Sequence, residues 1–288
     1  MPNRSKPIHL HIDLDTPHIL NRFYNGPARD NEANDDYCRT LLSRAADFFQ
    51  SNGVKITLFV ITQDLRLPNF SALLKQMRQD GHEIASHTHS HPYIKNQNSI
   101  SLLKNEVRQS REEIESHFGD RPVGFRAPGF FINEEIIEVL RQEGFKYDCS
   151  LFLSPLNTAF NLYARQRGVD GVFGSPASLD KRKLADSGLL EFPTPTCLGV
   201  PFYNNLNLYL PQPFRDWIGM GGAALGLSPY LFHLIEFADY ETDKMLLPPA
   251  VLRHPNIKIP LREKIRFGGK VIQHFKKRFT VELTKDCI

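Results

Sequence analysis

The chain has 288 residues, 41% of them hydrophobic and 23% charged, with a formal net charge of +3. That length supports a sizeable buried core, and so small a charge surplus gives no overall case for nucleic-acid binding. No apolar run reaches the roughly 18 residues of a membrane-spanning helix.

Cys38, Cys149, Cys197 and Cys287 have no paired spacing and read as free thiols of a reducing compartment. Near the N-terminus, Arg4 and Lys6 precede an apolar stretch that His9, His11, Asp13 and Asp15 interrupt. No signal-peptide core is found there, so the expected location is cytoplasmic, or peripheral to the inner face of the membrane.

In chain order, Ile8, Leu10, Ile12 and Leu14 alternate with His9, His11, Asp13 and Asp15, the pattern of a first strand. One phrase then recurs four times: an amphipathic helix, a glycine, a short strand. Residues 35–51, Gly53 and 54–60 make the first; 69–80, Gly81 and 82–86 the second. Residues 99–117, Gly119 and 122–126 make the third; 134–143 capped by Asn133, Gly144 and 145–148 the fourth. A glycine after the last turn supplies the left-handed residue that helix ends favour.

Alternating helices and strands imply parallel βα units, here closing into a (β/α) barrel with its reactive groups at the strand C-terminal ends. Asp13, Asp15, His87, Arg126 and Asp148 all fall at such ends. Further strands are expected at 189–193 and 230–234. Residues 194–229 read as long rim loops, with 217–227 as core packing or a flexible substrate lid rather than a membrane-contacting element. The C-terminal segment, about 258–288, is crowded with Lys and Arg and reads as a solvated helical face packed on a single domain spanning 1–288. Contact with anionic lipid head groups or an acidic glycan is its alternative.

Asp13 and Asp15 project to one side of their strand, roughly 6–7 Å apart along the chain. One can hold a metal while the other reaches water beside it. His87 and His91 are four apart in Ser86-His87-Thr88-His89-Ser90-His91 and share a face if the segment turns helically. Two imidazoles and a carboxylate are the donor set of a hydrolytic metal centre.

Asp13-Leu14-Asp15, the histidine run, Phe125-Arg126-Ala127-Pro128-Gly129, Asp148-Cys149-Ser150 and Leu231-Phe232-His233 together resemble the polysaccharide deacetylase (NodB-like carbohydrate esterase) family, in a divergent Asp-x-Asp branch. The resemblance implies a distorted (β/α) barrel, in this chain of seven strands, and metal-dependent removal of an N-acyl group. It implies Asp15, His87 and His91 as metal ligands, Asp13 as catalytic base and Arg126 as its partner. Gly129, with its neighbours Pro128 and Phe130, would form the oxyanion and substrate-binding turn. His233 would be the general acid, tuned by Asp148, with His254 as fallback.

Three departures from the family pattern stand out. Leu14 splits the usual adjacent aspartates, Gly129 replaces the aromatic residue after Arg-x-Pro, and the tryptophan of the fourth motif is missing. The expected cofactor is one divalent metal ion, Zn²⁺ first, with Co, Ni, Mn or Fe also compatible with these ligands. The expected substrate is an N-acetylated amino sugar of an envelope or polysaccharide precursor, nucleotide- or lipid-linked. Deformylation or hydrolysis of another C–N amide is one alternative, and a catalytically silent glycan-binding barrel another.

Overall fold

The strand that carries the aspartates, β2 (Leu10–Asp13), is buried along its whole length and lies inside a sheet rather than at its edge. The structure is a computed structural model describing residues 6–27, 34–92, 97–152, 154, 161–162 and 187–288. The four predicted phrases are all present. They are α2 (Asp35–Ser51) with β3 (Thr57–Val60), α3 (Pro68–Gln79) with β4 (Glu83–Ser86), α4 (Gln97–Phe118) with β5 (Gly124–Phe125), and α5 (Glu134–Gln142) with β6 (Tyr147–Asp148).

Local chemistry explains these boundaries. Asn34 caps α2 by accepting from the Tyr37 N–H, and Asp35 and Asp36 sit where the helix dipole favours them. Asn133 caps α5 in the same way through the Ile136 N–H. Pro68 opens α3, where its missing N–H costs nothing. The predicted faces of α2 (Leu41, Leu42, Ala45, Phe48, Phe49) are buried against the sheet in one large core cluster.

Two more strands complete the sheet, β7 (Leu190–Glu191) and β10 (Tyr230–His233), in the order β10-β2-β3-β4-β5-β6-β7. Every neighbouring pair is parallel. This is the seven-stranded α/β sheet expected, curled as a half-barrel. All its strand C-terminal ends share one rim, and β10 is placed next to β2.

The first strand is shorter than its alternation suggests. Pro7–Ile8, β1, leaves to pair with β11 (Thr280–Val281), and Asp15 lies just past β2. Helix α1 (Pro17–Phe23) follows the aspartates.

Residues 194–229 are more ordered than predicted. They form the hairpin β8 (Thr196–Cys197) and β9 (Val200–Pro201), a short α6 (Asn204–Asn207) and a 13-residue α7 (Gln212–Ala224). The glycines that suggested flexibility are contact points. A Cβ on Gly219 would sit 2.8 Å from the Phe267 ring, and one on Gly222 would overlap Phe202. Within the stretch read as packing or lid, Ile218 and Ala223 are core, whereas Trp217 and Leu225 face outward. A short α8 (Tyr240–Asp243) precedes the basic segment, whose α9 (Leu261–Lys276) buries Phe267, Val271, Ile272 and Phe275.

Gly124 on β5 leaves no room for a side chain, because a Cβ there would overlap the buried Tyr147 ring. Gly124→Ala is expected to lower stability by about 1–3 kcal/mol, read as a reduced urea midpoint at unchanged m-value.

Candidate metal centre

His87 leaves the sheet directly after β4, its N–H still donating to the Val60 carbonyl at 2.9 Å. The chain then turns sharply instead of continuing as the helix that would have aligned positions four apart. Thr88 and His91 both have left-handed backbones (φ 68° and 59°), and the His91 N–H donates to Thr88 Oγ1 at 3.1 Å. This turn brings the two imidazoles to 4.9 Å between centroids. His89 points away, to Glu113 and Thr62.

Asp15 meets these rings from the neighbouring strand end. Its Oδ1 lies 3.2 Å from His91 Nε2 and 3.7 Å from His87 Nε2. One ligand atom from each of the three residues falls within 4.8 Å of the others. The Nδ1–H of His87 donates to the Arg126 carbonyl at 2.8 Å, which leaves Nε2 with a lone pair aimed at the cluster. Burial drives His91 well below its ordinary pKa, so its ring is neutral, the ligating form.

Asp15 Oδ1 is buried without a hydrogen-bond partner, and burial raises the pKa of its carboxyl. A buried acceptor left unmatched beside two imidazoles fits a divalent cation better than a structural ion pair.

Asp13 ends β2 on the same rim. Its Oδ1 accepts from Arg126 Nη1 at 2.6 Å, and its Oδ2 stands 3.9 Å from His87 Nε2. Burial pushes its pKa up, but Arg126, His87 and His233 outweigh burial and hold it below the usual carboxylate range. Arg126 follows β5, fully buried. Its Nε donates to the Cys149 carbonyl at 3.2 Å, its Nη2 to His11 Nδ1 at 2.7 Å, and its guanidinium lies 4.1 Å from the Phe59 ring centre. Burial also keeps His11 neutral, so the ring accepts from Arg126 and donates its Nε2–H to Thr284 Oγ1 at 2.8 Å.

His233 is the register partner of Asp13 across the β10–β2 pair, with Nε2 4.0 Å from Asp13 Oδ2. The carboxylates that face it are Glu236, Asp13 and Asp15, and not Asp148 as expected. Glu236 Oε1 accepts the His233 N–H at 2.8 Å and lies 3.6 Å from its Nδ1. Glu236 is itself held by Asn204, whose Oδ1 accepts from Tyr230 at 3.0 Å. Burial opposes a charged His233, but Glu236 and the two aspartates prevail and its pKa is raised.

The fallback acid behaves in the opposite way. Burial and the charge of His233 push the His254 pKa down to about 3. Its Nδ1 accepts from the Asn256 N–H, so His254 is neutral and lacks the imidazolium proton that a general acid gives. Asp148 faces away from His233, accepting from the Ser150 N–H and hydroxyl at 3.0 and 2.6 Å beside Glu191. It braces the loop after β6, since the Ser150 hydroxyl in turn accepts the Ala127 N–H.

Pro128–Phe130 form a single 3-10 turn in which Gly129 and Phe130 are both left-handed (φ 62° and 61°). Pro128 is buried. The Phe130 N–H is taken by the Ala127 carbonyl at 3.0 Å, so Phe130 meets the site through its ring. That ring stacks on Phe152 at 5.1 Å and stands 6.5 Å from Tyr203, whose ring lies 6.0 Å from His233. The result is an aromatic wall beside His233.

Sequence reasoning missed His11, Glu236 and Tyr203 as members of this site. His11 was within reach, two residues before Asp13 on the same strand face. Glu236 follows His233 by three, a spacing that carries information only once the chain there is known to turn. Nothing near Tyr203 marks it.

Residues 33–147 match the sequence profile of the polysaccharide deacetylase family. Over that stretch the chain is similar to members of this family. Over 107 residues it is 28% identical to a peptidoglycan-N-acetylglucosamine deacetylase of Bacillus cereus, an alignment covering 37% of this chain and 48% of that protein. The chain thus matches about half the length of that relative. A Puue allantoinase structure superposes with a TM-score of 0.58 at 11% identity, over 99% of this chain and 90% of the other. A probable polysaccharide deacetylase from Pseudomonas aeruginosa PAO1 does so with a TM-score of 0.56 at 12% identity, over 97% and 88%. At such identities the likeness is one of fold, the curled parallel sheet with its helices.

Chelator-stripped protein is expected to take up one divalent ion per chain in a calorimetric titration, and the His87→Ala, His91→Ala double variant none. Stoichiometric binding by that variant would place the ion elsewhere.

Proposed function

We propose that the protein is a divalent-metal-dependent N-deacetylase acting on an N-acetylated amino sugar of an envelope or polysaccharide precursor. The observation that carries this reading is the position of Asp13 Oδ2. It stands between the three-ligand cluster, 3.9 Å from His87 Nε2, and a protonatable imidazole, 4.0 Å from His233 Nε2. Base, ligands and acid therefore surround one small volume.

A divalent cation held by Asp15, His87 and His91 would supply Lewis acidity, polarising the acyl carbonyl and bringing the pKa of water from 15.7 toward ~7. Asp13 is anionic and oriented by Arg126, so it accepts the proton of the attacking water. The turn at Pro128–Phe130 is assigned to the acyl oxygen, with the Gly129 N–H as donor. Loss of one such donor costs roughly 3–4 kcal/mol in comparable reactions. His233 donates its proton to the departing amine, and Glu236 holds the ring for that transfer. The aromatic wall of Phe130, Phe152 and Tyr203 offers flat apolar surface to a sugar ring.

A reducing compartment is proposed as the location, on the strength of four free cysteines, three of them buried. Deformylation is the second reading, favoured by the Asp13-Leu14-Asp15 opening. Formate in place of acetate among the products would select it.

Acetate release from N-acetylated glucosamine oligomers and carrier-linked sugars is expected to vanish on chelation. Asp13→Asn should lower kcat by roughly 10²–10⁴-fold. Full activity after complete metal removal, or in Asp13→Asn, would refute the mechanism.

The acid has its own signature. Because the His233 pKa is raised, its proton is retained above the ordinary imidazole value of ~6.5. Activity should therefore fall only as pH rises through that higher value. Glu236→Gln removes a group that raises the pKa, so the alkaline limb of the kcat profile should move to lower pH. An unmoved limb would exclude Glu236 as the partner of His233.

A further inference from the structure

Helices α7 and α9 pack side by side and run in the same direction. Arg215 Nη2 donates to Glu263 Oε1 at 2.6 Å, and one turn on, Gly219 lies against Phe267 and Val271. The two helices advance together, so their first turns stand at one height. The far end of α7 leads through Gly226 to the start of β10, and α9 ends near β11, which pairs with β1 below β2. The first turns of both helices are therefore at the opposite end of the sheet, level with the rim that carries Asp13 and His233.

At that level α7 turns an aromatic pair outward. Phe214 is 44% exposed and Trp217 56% exposed, with their rings stacked at 5.7 Å. Tyr209, just before the helix, is 41% exposed. Beside them α9 presents Arg262, Arg266 and Lys270 to solvent, and Lys258 precedes them. Between residues 251 and 281 the sole acid is Glu263, and Arg215 engages it. Asp216, half-buried, is the one acid of α7.

Stacked aromatics left in water beside an unopposed row of cations match the two halves of an anionic lipid surface. Indole and phenyl rings settle at the depth of the head groups, while Arg and Lys meet the lipid phosphates. Among the described residues no helix is long and apolar enough to cross a membrane, so such contact is peripheral.

We propose that the first turns of α7 and α9 form a docking face for an anionic bilayer, with Phe214 and Trp217 entering the head-group region and Arg262 and Arg266 pairing with lipid phosphates. Docking in this way sets the rim of the sheet beside the membrane surface. If the deacetylase reading holds, on which this consequence alone rests, the acyl sugar is presented on a lipid carrier.

The chain contains a single tryptophan, so Trp217 is its own reporter. The full-length protein is mixed with vesicles of phosphatidylcholine and phosphatidylglycerol, or of phosphatidylcholine alone. Sedimentation and tryptophan emission are then recorded. Co-sedimentation with the anionic vesicles, a blue shift of Trp217 emission and weakening by salt are expected. At about 1 kcal/mol per cation, Arg262→Gln with Arg266→Gln should weaken vesicle affinity roughly 30-fold, and Phe214→Ser should reduce the blue shift.

Failure to sediment, sedimentation with unchanged emission, or binding to soluble polyglutamate but not to vesicles would each overturn the proposal. Neither readout involves turnover. A protein without deacetylase activity can still pass this test, and an active enzyme that ignores vesicles fails it.

Discussion

The buried pair between Arg126 and Asp13 is the constraint on which the rest of the site depends. Burying two charges is costly, and removing one partner of such a pair typically costs ~3–5 kcal/mol because the other is stranded. Arg126 is secured on every side: by Asp13, by His11, by the Cys149 carbonyl and by the face of Phe59. The same residue accepts the Nδ1–H of His87 through its backbone carbonyl. One arginine thus keeps the proposed base ionised and fixes the ring orientation of a proposed ligand.

The sheet topology supplies the other half of the arrangement. β10 comes late in the chain yet pairs with β2, and its register sets His233 opposite Asp13. Parallel pairing puts both residues at the same end of their strands, so the proposed acid and base face one another without any local sequence signal. Near the other end of the chain, Thr284 bonds His11 and fixes its tautomer. Residues close to both ends of the chain therefore support the same guanidinium.

Much of this was legible in the residues. Glycines after amphipathic helices marked the four βα units, and strand alternation put Asp13 and Asp15 on one side. What the sequence could not convey was how the loops turn. His87 and His91 approach through two left-handed residues rather than a helical turn, a geometry that the spacing does not encode. The partner of His233 was misassigned to Asp148 for a similar reason. Glu236 reaches it only because the chain enters a 3-10 turn straight after β10. Of the two readings of residues 217–227, core packing or a flexible lid, packing holds at Gly219 and Gly222, which are small because neighbouring rings press on them.

The central claim is that a cation sits among Asp15, His87 and His91 within reach of Asp13. Anomalous diffraction from crystals grown with zinc tests this most directly. The account predicts a single strong peak about 2.0–2.2 Å from an Asp15 oxygen and from Nε2 of both histidines. A zinc ion bound elsewhere, with Asp15 turned away from well-ordered imidazoles, would contradict it.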